Sequence, residues 1–402
     1  MAVEIRHPSE DEWRAAMTAG AASFGDGLDD DDYERFSKTL VRERFYTAYD
    51  GTTPVATAAD YPFRLTVPGG ELAAGGVTWV GVVPTHRRRG IHTQMMRREL
   101  DDLHERGEPI VVLWASEASI YGRFGYGITA PTVQMDAARA QFAFREDPGP
   151  RGTARLVDPA EGKTLCAQAY ESLRTKIPGF VARSDEWWEM YRLADPEQWR
   201  RGSGPKFIAV IEFDGEPVAY AIYRIKQDWD EGFSRSQVKL VETLATTPAA
   251  ERELWRFVFG IDLIARVQGR HDPGSPLFLM VVDPRSLQLR VSEGLWLRLV
   301  DVGAALSGRS YATDDAVVLE VRDEFCPWNA GRWRVAGGTA ERTDASAELE
   351  LDIADLASVY LGAFDFEQLR VAERLREHAQ GAVERASALF RTPRVPYCPE
   401  DF

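Results

Sequence analysis

The chain has 402 residues, 44% hydrophobic and 28% charged, which suits a protein of two or three domains and exceeds what a single core accommodates. A formal net charge of −15, from 48 Lys+Arg against 63 Asp+Glu, argues against a nucleic-acid partner, whose phosphates need a basic footprint, and is compatible with a cationic substrate. Residues 1–22 carry Glu4, Arg6, His7, Glu10, Asp11, Glu12 and Arg14 and so lack a signal-peptide apolar region, no apolar run is long enough to span a bilayer, and the expectation is a cytoplasmic protein.

In chain order, residues 11–24 read as a helix, followed by an acidic loop at Asp26 and 29–32 and a second helix near 33–40. Strands come next, punctuated by Asp50-Gly51 and Pro68-Gly69-Gly70. The apolar run 77–83 predicts a buried strand ended by Pro84; the basic turn Thr85-His86-Arg87-Arg88-Arg89-Gly90 leads into a helix over 91–107, and 109–114 predicts another strand. This β–α–β order makes an anion site. The first N–H groups of the helix lack partners, the helix start is electropositive, the arginines add charge, and Gly90 lets backbone approach a pyrophosphate.

The stretch 144–152, polar and rich in Pro and Gly, is the best linker candidate, and a domain boundary is placed between 147 and 148. Beyond it the pattern repeats in degraded form: a helix over 160–176, strands over 207–213 and 218–225, a further strand from 238 ended by Pro248, and a helix over 249–267. Ala249-Ala250-Glu251-Arg252 replaces the glycine and bases, which predicts a second copy of the fold unable to hold a pyrophosphate; two unrelated α/β domains are the alternative. From about Gly294 an α+β third domain is expected: a helix over 301–306, strands near 316–321, 332–335 and 347–351, and helices over 353–361, 366–372 and 382–390. The Pro-rich tail cannot be helical, and Phe402 would prefer burial. Cys166, Cys326 and Cys398, far apart and odd in number, fit a reducing compartment and imply neither a disulfide framework nor a metal site; His7, His104, His271 and His378 read as surface or capping residues. Gly162-Lys163-Thr164 imitates a P-loop, but Val157 stands where its first glycine must be.

Arg87-x-x-Gly90-x-His92 resembles the Gln/Arg-x-x-Gly-x-Gly/Ala motif of the GNAT acetyltransferase superfamily, with His92 at the last small position. Together with Ala115-Ser116-Glu117, Ile120-Tyr121-Gly122-Arg123-Phe124-Gly125-Tyr126-Gly127, Ala22-Ser23-Phe24 with Asp26, Gly294-Leu295-Trp296-Leu297-Arg298, Tyr360-Leu361-Gly362-Ala363 and Phe402, the spelling resembles the enhanced intracellular survival (Eis) aminoglycoside acetyltransferases along the whole chain. The resemblance implies an α+β architecture of tandem GNAT folds, each a mixed sheet with helices on both faces, plus a C-terminal sterol-carrier-like domain. Residues 1–147 would be the catalytic domain, 148–290 a degenerate copy and 291–402 the third domain. It also implies a homohexamer.

By position, the resemblance implies that Val80, Gly81 and Val82 hydrogen-bond the pantetheine arm of acetyl-CoA, and that Arg88, Arg89, Gly90, Ile91, His92 and Thr93 hold its pyrophosphate, with Ser116 and Glu117 on the facing strand end. Tyr121 would donate a proton to the departing thiolate and the α-carboxylate of Phe402 would accept one. Asp26, Phe36, Trp79 and Asp401 fall at acceptor-pocket positions, and no metal is involved.

The chemistry is workable. A tyrosine of pKa near ~10 can protonate a thiolate whose parent thiol is near ~8.5 at a mismatch of about 2 kcal/mol. An ordinary α-carboxylate is about six units too weak to deprotonate an ammonium outright, so it should relay or orient unless burial raises its pKa. The expected function is N-acetyl transfer from acetyl-CoA to primary amines of aminoglycoside-like or lysine-bearing acceptors in a ternary complex. The alternatives are a non-catalytic ligand-binding protein of the same fold, or an acetyltransferase of a small metabolite amine.

Overall fold

The computed structural model describes residues 3–146 and 149–402, so the linker candidate is described except for Asp147 and Pro148, and the expected boundary itself lies outside the described residues. The chain forms two compact units, Met1–Ala130 with Gly294–Phe402, and Pro131–Glu293.

In the first unit β1 (Glu4–Arg6), α1 (Trp13–Ser23), α2 (Asp30–Ser37), β2 (Phe45–Asp50), β3 (Thr53–Val67), β4 (Gly70–Val82), α3 (Ile91–Glu105), β5 (Ile110–Trp114) and α4 (Ala118–Tyr121) follow one another. The sheet runs β1-β2-β3-β4-β5, antiparallel until β5, which lies parallel to β4 and so needs the α3 crossover. The strand Arg290–Leu299 then pairs antiparallel to β5 through residues 295–299. Helices α1 and α3 pack on β3 and β4. α2 begins at Asp30, three residues before the expected start, because the Asp29 carboxylate caps it by accepting from Asp32 N.

Two glycines set how closely α1 approaches β4. A Cβ on Gly20 would sit 2.7 Å from the Trp79 ring, and one on Gly81 would collide with the Ser23 side chain.

The C-terminal domain of the same unit has a five-stranded sheet in the order Thr339–Arg342, Gly331–Ala336, Val317–Arg322, Leu349–Asp352, Leu375–Glu377. Its helices Val302–Ser307, Ile353–Tyr360, Phe366–Val371 and Ala382–Phe390 lie within a residue or two of the expected bounds. Residues 396–400 of the tail are buried and irregular.

A fully buried ion pair ties this domain to the first. Arg298 Nη2 donates to Asp323 Oδ2 at 2.6 Å while Nη1 donates to the Phe124 carbonyl. The fit is tight, since a Cβ on Gly125 would strike the guanidinium. Arg298→Met is expected to leave Asp323 buried without its counter-charge and to cost about 3–5 kcal/mol in chemical denaturation; an unchanged denaturation midpoint would show the pair to be dispensable.

In the second unit the strand order is Gly127–Ala138, Ile264–His271, Ser236–Ala245, Glu216–Lys226, Phe207–Phe213, Thr153–Val157, with the helices Pro159–Arg174 and Pro248–Gly260 packed on it. The helix expected over 249–267 ends at Gly260. Leu263 takes a left-handed φ of 60°, and the strand Ile264–His271 follows, parallel to Ser236–Ala245. His271 is also corrected: it is buried on that strand, with its ring 5.2 Å from Trp255, and is not a surface residue.

Candidate active site

The site begins with a break in a sheet. Trp79 and Val80 of β4 together face the single residue Ala58 of β3, a β-bulge in which Trp79 adopts φ 54° and its carbonyl accepts from the Thr57 hydroxyl at 2.7 Å. Parallel pairing with β5 ends at Val77 opposite Leu113. Past that point Val80, Gly81 and Val82 stay beside β3, with Gly81 opposite Thr57 and Val82 opposite Ala56, while their β5-facing backbone groups are outside the ladder. An extended ligand with amide groups can add to such an edge as a strand would.

Pro84 opens a 3-10 turn (Pro84–His86), pinned by His86 Nε2 against Asp50 Oδ2 at 3.2 Å. Arg87 turns back to the protein, donating to Val82 O at 3.1 Å and Ser23 O at 2.9 Å. Arg88, Arg89 and Gly90 are exposed, Ile91 is buried, His92 half-buried and Thr93 exposed. Gly90 is the N-cap of α3 at φ 76°, and Arg88 shares the left-handed region at φ 61°. A Cβ on Gly90 would meet nothing within 4 Å, so the glycine serves the backbone conformation and not a close approach within the chain. No side chain caps α3, so the first-turn N–H groups stay free for an anion.

The second unit repeats the bulge without the anion site. Val241 is the extra residue between Leu240 and Glu242, and parallel pairing ends just before it at Lys239 opposite Gln268. There the helix Pro248–Gly260 is capped by its own Thr247 hydroxyl, which accepts from Ala250 N at 3.2 Å.

Opposite the opening of β4, Tyr121 closes α4 and is 5% exposed. Burial, with the Glu99 carboxyl as the next cause, pushes its phenol up to about 12, while a hydrogen bond with the Ser116 side chain pulls the other way. The phenol is therefore protonated at any physiological pH, so in proton transfer it can serve as an acid and not as a base. Ser116 and Glu117 are exposed on the turn after β5, and Glu117 is the N-cap of α4. The His92 ring stands edge-on to Phe124 at 5.1 Å and Tyr121 at 6.2 Å, and burial with the nearby Arg123 pulls its pKa down to about 4, so it is neutral. The bulky residue at the small position thus leans on the Tyr121 wall.

Phe36 and Trp79 meet edge-to-face at 5.3 Å. Asp26 is exposed on the loop after α1. Much of the acidic run beside it is engaged: Asp29 caps α2, Asp30 pairs with Arg14 and Asp32 with Arg35. At the chain end Asp401 is exposed, and the half-buried Phe402 stacks edge-to-face on Phe63 at 5.0 Å. Phe63 in turn packs against Gly76 of β4, where a Cβ would overlap its ring.

One site feature went unnoticed in the sequence. Glu99 is wholly buried on α3, although its place among Met95, Met96, Leu100 and Leu103 puts it on the apolar stripe, and that periodicity is a readable signal. Among the described residues no helix is long and apolar enough to cross a membrane.

Family models for an acetyltransferase (GNAT) domain match residues 4–129 and 179–299, and one for a sterol carrier protein domain matches 302–399. An uncharacterized N-acetyltransferase of Streptomyces avermitilis is 39% identical over the full length of both chains. The N-acetyltransferase Eis of Mycobacterium tuberculosis is 33% identical over 97% of each chain. The chain belongs to the Eis family of GNAT N-acetyltransferases. The crystal structure of Eis1 from Mycobacterium abscessus, 31% identical, covers both chains completely with a TM-score of 0.86. The Eis-family architecture of two GNAT folds and a sterol-carrier-like domain is accordingly that of this chain, and it is an acetyltransferase.

Proposed function

We propose that this Eis-family enzyme transfers acetyl from acetyl-CoA to primary amines of polycationic acceptors, aminoglycoside-like or lysine-bearing, in a ternary complex without a covalent enzyme intermediate. The observation that carries it is the conjunction of a bulge-opened β4 edge, an uncapped α3 start with two left-handed residues and exposed arginines, and a buried neutral phenol at the facing strand end.

In this reading Val80, Gly81 and Val82 bind the pantetheine amides, and Arg88, Arg89 and the N–H groups of Gly90, Ile91, His92 and Thr93 bind the pyrophosphate. Ser116 and Glu117 flank the thioester. The co-substrate supplies the activated acyl group. Tyr121 gives its proton to the departing sulfur as the carbon–sulfur bond breaks. The Phe402 carboxylate orients the amine and relays its proton, with Asp26, Phe36, Trp79 and Asp401 bounding the acceptor pocket. Residues 1–147 serve as the catalytic domain, 148–290 as a copy whose helix start is closed by Thr247, and 291–402 as the domain that supplies the terminus. The same reading extends to a homohexamer acting in the cytoplasm, as the family resemblance implies.

The test is thiol release from acetyl-CoA with a panel of amines. Polyamines and aminoglycosides are expected to exceed monoamines in kcat/KM by on the order of tenfold at low salt, and the advantage should shrink as salt screens it. Equal kcat/KM for mono- and polyamines would point to a small-metabolite acceptor. No release with any amine, despite binding of CoA, would leave a ligand-binding protein.

A further inference from the structure

The C-terminal domain holds a cavity of its own, about 350 Å³ in volume and at the small end of the range for metabolite-sized ligands. One wall is the loop after the helix Ile353–Tyr360, with Phe364 and Asp365, together with Gln368 of the helix Phe366–Val371. The other is the end of the helix Ala382–Phe390 and the Arg391-Thr392 step that opens the tail. None of the residues placed at the transfer site lines it.

A single buried guanidinium fixes both walls. Arg309, 3% exposed, donates through Nη1 to the Tyr360 carbonyl and through Nη2 to the Phe390 carbonyl at 2.9 Å, the last residues of the two helices from which the walls depart. Its Nε donates to Ser310 O at 3.1 Å, and among the described residues no carboxylate pairs with it. A cation there suits the negative ends of both helices. Past these two anchors the loop touches the tail: Gly362 takes φ 89°, and a Cβ on it would sit 2.5 Å from the Thr392 hydroxyl oxygen. The cavity is therefore shaped before a ligand enters, and little of the chain needs ordering on binding.

The lining carries two opposite charges that do not cancel each other. Asp365 Oδ1 accepts from Gln368 N at 2.8 Å and Gln368 Oε1 accepts from Asp365 N at 2.9 Å, a capping box that engages only one of the two Asp365 carboxylate oxygens. Among the described residues neither Asp365 nor the exposed Arg391 has an ion-pair partner, although both line the cavity. The charges on the same short helix are already matched, since Arg370 pairs with Glu367 at 2.5 Å. Ala363, the half-buried Phe364, Ala388 and Phe390 supply apolar surface. A cation and an anion held apart on fixed walls, with an aromatic face in the same cavity, match a small zwitterion with an apolar body.

We propose that this cavity binds a free apolar α-amino acid, with the ligand carboxylate on the Arg391 guanidinium, its ammonium on the Asp365 carboxylate and its side chain against Phe364. The site is independent of the transfer site and needs no acetyl-CoA.

Isothermal titration of the full chain, without acetyl-CoA, tests this with L-phenylalanine and L-leucine as probes. Saturable binding with Kd at or below about 1 mM is expected for at least one of them. 3-Phenylpropionate, which lacks the ammonium, and phenethylamine, which lacks the carboxylate, should bind at least about tenfold more weakly than L-phenylalanine. Arg391→Gln and Asp365→Asn each remove one charge at an exposed position and should each weaken the amino acid by at least about tenfold. Asparagine keeps an oxygen for the helix cap, so the fold is retained. Bound amino acid should also slow backbone hydrogen exchange over residues 362–368 and 387–392. Absence of saturable binding by both amino acids would overturn the proposal, as would 3-phenylpropionate or phenethylamine binding as tightly as L-phenylalanine. An affinity left unchanged by either substitution would overturn it too, placing the amino acid elsewhere, such as in the acceptor pocket.

Discussion

Tyr121→Phe is expected to lower kcat by about two to four orders of magnitude with KM for acetyl-CoA nearly unchanged, the usual worth of a positioned general acid. The change removes one oxygen from a side chain that is 5% exposed, and the ring keeps its contacts with His92 and Tyr126, so the fold should be retained. The pH profile adds a sign. Tyr121 is protonated below about 12, so its titration produces no falling limb through the neutral and mildly basic range. Activity should instead rise with pH as acceptor ammonium groups lose protons, and the variant should keep that rise at a much lower rate. Steady-state kinetics from pH 6 to about 10 check both points; a variant with wild-type kcat would remove Tyr121 from the mechanism.

Blocking the terminus is the second large effect. Amidation of Phe402, or extension beyond it by a short polar tag, is expected to reduce kcat by about a hundredfold by displacing or neutralising the carboxylate that orients the amine. The anchoring of the tail does not depend on that carboxylate. Residues 396–400 are buried and the Phe402 ring rests on Phe63, so circular dichroism and thermal midpoint should match wild type. Full turnover by an extended, folded protein would refute the role. Loss of both activity and fold would instead assign the terminus to stability.

The strand end, turn and helix start over 77–93 were legible in the sequence because their signals are local. An apolar run, a proline, arginines and a glycine fix a strand end, a turn and a helix start within fifteen residues, and the structure places them so. The bulge at Trp79 was not legible, because two residues facing one exist only in the pairing of β4 with β3 and leave no mark on either strand alone. The overlong helix at 249–267 has another cause. Ile264, Ala265 and Val267 continue a helical apolar pattern, but the backbone is already extended at Ile261 and turns left-handed at Leu263. The acidic run at 29–32 misled in part, since one carboxylate caps α2 and two others pair with arginines, leaving less field for a substrate than the spelling suggests. Arg298 could not be read as buried, because its partners, Asp323 and the Phe124 carbonyl, lie 25 and 174 residues away in sequence.

The second bulge, at Val241, reaches beyond its own unit. It persists where the neighbouring helix start is already satisfied by Thr247, so the parting of two parallel strands needs no bound molecule to hold it open. The homologous parting at Trp79 should therefore exist before any co-substrate arrives. If the pantetheine arm binds along β4 as proposed, it would dock into a finished slot, with little conformational entropy lost by the protein and correspondingly little change in backbone hydrogen exchange along β4 on binding.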